Sequence, residues 1–359
     1  MSPPLPQGGP VGFVNHDSSL QHANHPGHPE DASRVRAIID HLRTTQMMDR
    51  LDVHEPQAAG RELIELAHEP ALVDLLEELD EQGGGRIDLD TSMGPGSLEA
   101  TMRASQGTVD AVGKVLDRTW SSAFVCMRPP GHHARPRIPM GFCLTNHVAI
   151  AARWAITKRD LERVVIIDWD AHHGNGTQEI FWSDPSVLYV SLHQYPWYPG
   201  SGDAAERGDG DGLGYTLNVP LPSATAEDVY ERAFEELIEP AVADFDPELV
   251  LVSAGYDAHE RDPLCMMRLR AGAFHRFARR VAGWDAHGPV CVLEGGYDLE
   301  GLAWSAGATI EALLGSDEPS RIPEVELAQA ASPPESVRAL ERAAELHAAV
   351  RPTLRRRSD

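Results

Sequence analysis

Residues 163–178 read RVVIIDWDAHHGNGTQ. Val164, Val165, Ile166 and Ile167 make a continuous apolar run, the pattern of a strand buried on both faces of a parallel sheet. The run passes directly into Asp168 and Asp170, then His172 and His173. A carboxylate against the core is costly unless it is paired or holds a cation. The stretch therefore decides the fold class and marks where the chemistry should lie.

Further short apolar runs fit the same description at 123–127 (AFVCM), 187–192 (VLYVSL), 249–252 (LVLV) and 290–293 (VCVL). Helix-like segments lie between or beside them at 98–116, 146–157, 226–243 and 271–284. This alternation predicts an α/β fold, a mainly parallel sheet with helices on both faces. No repeat or internal linker divides the chain, so residues 11–359 are expected to form one domain. Residues 1–10, MSPPLPQGGP, read as a flexible N-terminal arm. From about residue 319 a polar, helix-prone segment leads into the basic tail RPTLRRRSD.

The chain carries 31 Lys and Arg against 55 Asp and Glu, a net charge of −24 over 359 residues. Direct nucleic-acid binding, which needs a basic footprint, is not expected. The balance fits an acidic soluble protein, and a field of that sign can also steer a cationic substrate. Cys126, Cys143, Cys265 and Cys291 are scattered, with no CxxC pair. Neither a disulfide framework nor a cysteine zinc site is suggested, and a reducing, cytoplasmic setting fits best. Neither a signal peptide nor an apolar run of the ~20 residues that cross a bilayer is seen, so no membrane partner is expected.

The unusual polar residues follow the ends of the apolar runs. RPPGHHA, with His132 and His133, follows AFVCM, and DWDAHHGNG follows VVII. SAGYDAHERDP, with Asp257, follows LVLV, and EGGYD, with Tyr297, follows VCVL. Open parallel sheets bind ligands at the C-terminal ends of their strands. Separate strands delivering such groups to one edge predict a site. Asp170 and His172, one residue apart, can converge on one cation, and Asp257 can supply a third ligand. Two carboxylates and an imidazole suit Zn²⁺ or Fe²⁺ and leave a position for water and substrate. A lone Asp-x-His would read as a satisfied buried pair; Asp257 on another strand favours the metal. A closed structural zinc site would want a fourth ligand, a cysteine, which is missing from this pattern.

Adjacent histidines point in different directions, so His132 and His133 flank the site rather than chelate together. Asp168 and Asn175 are available to orient them. A carboxylate raises its histidine's basicity more than an amide does, so the two imidazoles should be unequal. His173 reads as structural. Tyr297, after Gly295 and Gly296, can donate its hydroxyl to a developing oxyanion. Together these groups describe metal-assisted hydrolysis of a carbonyl compound by an activated water.

The motifs RPPGHHA, GFC, DWDAHHGNGTQ, SLHQYPWYPGSG, SAGYDAHERDP and EGGYD occur in order across roughly residues 12–315. They resemble the zinc-dependent histone deacetylase, acetoin utilisation and acetylpolyamine amidohydrolase superfamily. Asn175 is similar to the class II branch; class I members usually carry aspartate there. The resemblance implies the arginase/deacetylase fold with a central eight-stranded parallel sheet. It implies one zinc on Asp170, His172 and Asp257, with Fe²⁺ as an alternative. His132 and His133 become the catalytic pair, His133 the general base, partnered by Asp168 and Asn175 respectively. Tyr297 becomes the residue that polarises the acyl carbonyl. Phe142 would form one wall of an acyl tunnel and Trp197 or Tyr198 the other, with Gly295 beside it and Leu264 at the rim. Structural potassium is implied through carbonyls of Asp168, Asp170, His172 and Leu192 and side chains of Asp168 and Ser191. A second potassium would use backbone at Phe181, Asp184, Val187 and Tyr215.

The activity implied is removal of an acetyl or other short acyl group from acyl-lysine or a related acylated amine. Leu264 cannot pair with an internal ammonium as a glutamate would, and loop 83–97 is short; both favour acyl-lysine or a general acylamide over acetylated polyamines. The acidic loop 202–212, GDAAERGDGDG, reads as a solvated turn more than a cation trap. His22, His25 and His28 take rim and structural roles, not a second metal site. A silent acyl-ligand or protein-binding member would have no need of the whole ligand, histidine and tyrosine set. An arginase-like enzyme would want a two-metal cluster with further carboxylates. A homo-oligomer is compatible with the sequence.

Overall fold

A computed structural model describes residues 9–350. Residues 1–8 of the expected arm and the basic tail, 351–359, lie outside the described residues. The carbonyls of Gly9 and Pro10 accept hydrogen bonds from the hydroxyl and N–H of Ser121.

The main sheet has eight strands: β1 (Val11–Val14), β2 (Leu51–His54), β3 (Ser122–Val125), β4 (Val164–Asp168), β5 (Val187–Gln194), β6 (Thr216–Leu221), β7 (Leu249–Ala254) and β8 (His287–Leu293). Their order is β2-β1-β3-β8-β7-β4-β5-β6, every pair parallel. Strand β4 explains the unbroken run VVII. Val165 and Ile167 enter the core on one face, and Val164 and Ile166 enter the core on the other. Neither face meets water, so no polar alternation is possible.

Helices α1 (Ala32–Thr44), α2 (Ser97–Leu116), α3 (His147–Arg159), α4 (Asn175–Ile180), α5 (Ala271–Ala282), α6 (Leu299–Leu313) and α7 (Pro334–Ala348) supply most of the cover. Residues of α2 and α3 share the core of Val164 and Ile166, while α1, α5 and α6 share that of Val165 and Ile167. The helix expected over 226–243 is interrupted. Glu227–Ala233 and Glu239–Phe245 are joined by a π turn at Phe234–Ile238. Pro240 lacks an N–H for the i−4 carbonyl, and the wider turn absorbs the missing bond.

In this order β3, β8, β7 and β4 are consecutive central strands. They are the strands after which the four polar clusters were read. Chain crossovers thus bring residues more than a hundred positions apart to one edge. Among the described residues no helix is long and apolar enough to cross a membrane.

Candidate active site

Asp168 ends β4, Asp170 and His172 follow in the turn before α4, and Asp257 follows β7. Asp257 Oδ2 and Asp170 Oδ1 lie 2.9 and 3.1 Å from His172 Nδ1. Backbone N–H groups hold the remaining oxygens: Ala171 donates to Asp257 Oδ1 at 2.6 Å and Gly295 to Asp170 Oδ2 at 2.8 Å. Both carboxylates are fully buried. Burial opposes ionisation of each. His132 and His172 nevertheless hold Asp170 down, whereas Asp170's charge adds to burial in pushing Asp257 up to about 6. Two buried carboxylates turned on one imidazole nitrogen, with no lysine or arginine in their hydrogen bonds, have the chemistry of a donor set for one divalent cation. Asp170, His172 and Asp257 can hold it.

Cys265, one of the scattered cysteines that suggested no zinc site, sits beside the ligand candidates. Its Sγ is 3.4 Å from His172 Nε2, and His172, Asp257 and Cys265 together have donor atoms within 4.8 Å of one another. The chain loops out over the mouth after Asp257 and returns, which no spacing rule reveals. Burial pushes the thiol up to about 12, so it meets the imidazole as a neutral group.

The histidine pair comes from the turn after β3, its rings 4.0 Å apart. His132 Nδ1 is 3.0 Å from Asp168 Oδ2, and His133 Nδ1 is 2.8 Å from Asn175 Oδ1. The environments drive them apart. Burial would lower His132, but Asp168, Asp170 and Glu294 outweigh it and push it up to about 10. Burial, with His132 and His172 adjacent, holds His133 well below the usual imidazole range. One imidazole is thus charged and the other neutral near pH 7.

A cavity of about 370 Å³ opens above these groups. Its lining includes His132, His133, Phe142, His172, Gly295 and Tyr297, with Trp197, Tyr198 and Leu264. Tyr198 meets His133 edge-on at 5.2 Å and His172 at 6.1 Å; Trp197 leans outward, its indole N–H donating to the Leu264 carbonyl at 3.0 Å. Both aromatic candidates for the second wall therefore line the cavity, Tyr198 nearer the histidines. Phe142 holds a left-handed backbone, φ 68°, unusual for a bulky residue. It follows Gly141, where a Cβ would stand 2.5 Å from the His133 ring. Tyr297 lies edge-on to Phe142 at 5.9 Å, and its enclosure keeps the phenol protonated.

Ser191 lies beside Asp168 in the β4–β5 register, and Leu192 is buried next to it. Ser191 Oγ is 2.8 Å from His193 Nδ1. His173 has both nitrogens engaged, by Ser201 Oγ at 2.8 Å and Gln178 Oε1 at 3.0 Å. His22 meets Ser97 Oγ at 2.7 Å, His28 meets the Asp90 carbonyl at 3.0 Å, and His25 is exposed. In the acidic loop Glu206 accepts from the N–H groups of Gly202 and Asp203, the behaviour of a turn.

Sequence reasoning missed several supporting groups. Glu294 is buried at the end of β8 and accepts from the N–H groups of Gly131 and His132 at 2.6 and 3.1 Å. Its place in EGGYD was the available signal. Arg34, on α1, donates to the Gly296 carbonyl at 2.7 Å and lies 4.9 Å from the Tyr297 ring centroid. Nothing in its local sequence announces that contact. Asp90 reaches the mouth from loop 83–97, in which Gly85–Arg86 and Ser92–Met93 form a small antiparallel hairpin.

Residues 28–313 match the histone deacetylase domain. The chain belongs to the histone deacetylase family. It is 41% identical over 314 residues to a probable deacetylase of Archaeoglobus fulgidus, covering 86% of this chain and 87% of that one. It is 34% identical over 298 residues to a histone deacetylase-like amidohydrolase of Pseudomonas aeruginosa, covering 82% and 78%. Among solved structures, the crystal structure of the HDA15 HD domain superposes with a TM-score of 0.88 at 30% identity, covering 96% of each chain. The eight-stranded parallel sheet is accordingly that of the arginase/deacetylase fold. Deacetylases of this family hydrolyse amides, and the cavity over the β3-β8-β7-β4 edge is where this member's candidate chemistry lies.

Proposed function

We propose that this deacetylase removes acetyl or another short acyl group from an acylated lysine side chain or a related acylated amine, using one zinc ion or, alternatively, one ferrous ion. The observation that carries the reading is the unequal histidine pair facing the same cavity as Tyr297 and as His172 of the Asp170–His172–Asp257 set. Bound there, the cation supplies the Lewis acidity that makes water a nucleophile at neutral pH. His133, held neutral, takes the proton of the attacking water and returns it to the leaving amine nitrogen. His132, kept cationic by Asp168, stabilises negative charge on the other side. The Tyr297 hydroxyl donates to the oxygen of the acyl carbonyl as it gains charge. Phe142 and Tyr198 flank the alkyl chain, and Gly295 lets that chain pass close to the backbone. The potassium sites inferred for Asp168, Ser191 and Leu192 would stiffen the β4–β5 edge.

Asp90 at the mouth favours a second reading, an acetylated polyamine or small acylamide, because a carboxylate there can meet a distal ammonium. Leu264, which lines the same mouth, favours the first. The test is a panel of acetyl-lysine peptide, acetylated polyamines, acetylated small amines and longer acyl-lysines, run with zinc-loaded wild type, Tyr297→Phe and His133→Ala. Chelator-sensitive turnover that either variant reduces by about 10²-fold or more is expected. Absence of turnover on every substrate would sink the hydrolase reading; polyamines preferred by orders of magnitude would select the second.

A further inference from the structure

Asp262 lies in the rim loop five residues beyond Asp257, buried to 7% exposure, and holds two backbone N–H groups. Its Oδ1 accepts from Leu264 at 2.9 Å, and its Oδ2 accepts from Tyr297 at 2.7 Å. The first partner belongs to the cavity mouth and the second to the phenol donor, so one carboxylate joins residues on separate loops.

The bond to Tyr297 gains force from what stands across the same peptide unit. The Gly296 carbonyl receives Arg34 Nε–H at 2.7 Å, while the Tyr297 N–H gives to Asp262. The Gly296–Tyr297 peptide plane is therefore gripped at both ends. The grip is needed because Gly295 and Gly296 precede it, and Gly296 has φ 112°, a conformation open to glycine. Without it the plane could turn and the phenol would swing. Asp262 stands on a firm base. Its N–H donates to the His259 carbonyl at 2.9 Å, and His259 Nε2 is 2.9 Å from the buried Glu326 Oε2.

We propose that Asp262 is a positioning residue that fixes the Tyr297 phenol and couples its placement to the rim at Leu264. The inference rests on Tyr297 acting as the oxyanion donor. Rim movement on substrate entry passes through the Asp262 carboxylate to the Gly296–Tyr297 plane. A filled mouth thereby sets the donor in place.

The experiment is a double-mutant cycle on the metal-loaded full chain with an acetylated substrate that wild type turns over. Asp262→Ala should lower kcat by roughly ten- to a hundredfold, with a smaller change in KM, since a misplacement of about 1 Å has effects of this size. In the Tyr297→Phe background the same change should cost less than about twofold, because the group it positions is gone. Asp262→Asn, which keeps one acceptor whichever way its amide turns, guards against a folding defect. Backbone amide exchange of the segment 295–298 should quicken in both variants while thermal unfolding stays cooperative. Additive losses in the cycle, or kcat and exchange unchanged in Asp262→Asn and Asp262→Ala, overturn the coupling. A Tyr297→Phe enzyme with undiminished kcat overturns the donor reading instead, and the two failures are distinguished by the single variants.

Discussion

His132 and His133 are neighbours in sequence, yet Asp168 faces one and Asn175 the other, and that difference adds to burial and neighbouring charge in separating their protonation. Asn175→Asp tests it directly. A carboxylate in place of the amide would favour the protonated form of His133 and raise its pKa by about one unit or more. A base must be deprotonated to work, so the acid limb of the kcat/KM profile should move to higher pH by that amount, with activity lost first on the acid side. A pH–rate profile unchanged in position would show that His133 is not the titrating base. At this scale the side chains gathered at the candidate site were legible because each follows a buried strand, where an ionisable residue stands out against apolar neighbours. Arg34, Glu294 and Asp262 were not. They bond to backbone carbonyls and N–H groups, and most of those partners are brought in from distant parts of the chain; Arg34 and Gly296 are 262 positions apart.

The elements themselves were readable where burial is two-sided. The run 164–167 became β4, and 249–252 became β7 with two residues added, since both strands lie mid-sheet. The strands β1, β2 and β6 escaped notice for physical reasons. β2, LDVH, is an edge strand with its central residues exposed, and β6, TLNVPL, carries Asn218 and Pro220 at the opposite edge. In β1, Gly12 interrupts the apolar run because the Trp120 ring takes the space a Cβ would need, 2.1 Å away. Joints between elements are also testable. Asn146 caps α3, accepting from the Ala149 N–H at 3.0 Å, and donates to Thr177 Oγ1 on α4 at 2.9 Å. Asn146→Ala removes the cap and leaves Thr177 short of a buried partner. A loss of about 2 kcal/mol in urea unfolding is expected. A change within experimental error would mean that the α3–α4 joint is held by packing alone.

For the whole molecule, pH and metal should act on stability together. Burial lowers His68, His147 and His193 to about 4. In the unfolded chain each titrates near 6.5, so between about 4 and 6.5 the unfolded state binds more protons. These three therefore cost nothing above about pH 6.5 and destabilise progressively below it, each by a few kcal/mol at most once pH falls past about 4. Acid should thus lower the urea midpoint even in metal-free protein. A cation on Asp170, His172 and Asp257 adds a second slope. It binds the folded state alone and stabilises by about 4 kcal/mol at a free concentration a thousand times its Kd. Protons compete for the same donors: without the cation its neighbours, against burial, hold the His172 imidazole well above its usual range, and Asp257 is pushed up to about 6. The zinc-induced rise in Tm should consequently be larger at pH 7.5 than at pH 5.5, and His172→Ala should abolish it at both. A rise that is equal at the two pH values, or that survives in His172→Ala, would place the stabilising ion away from these ligands, because only a site without titrating donors escapes proton competition.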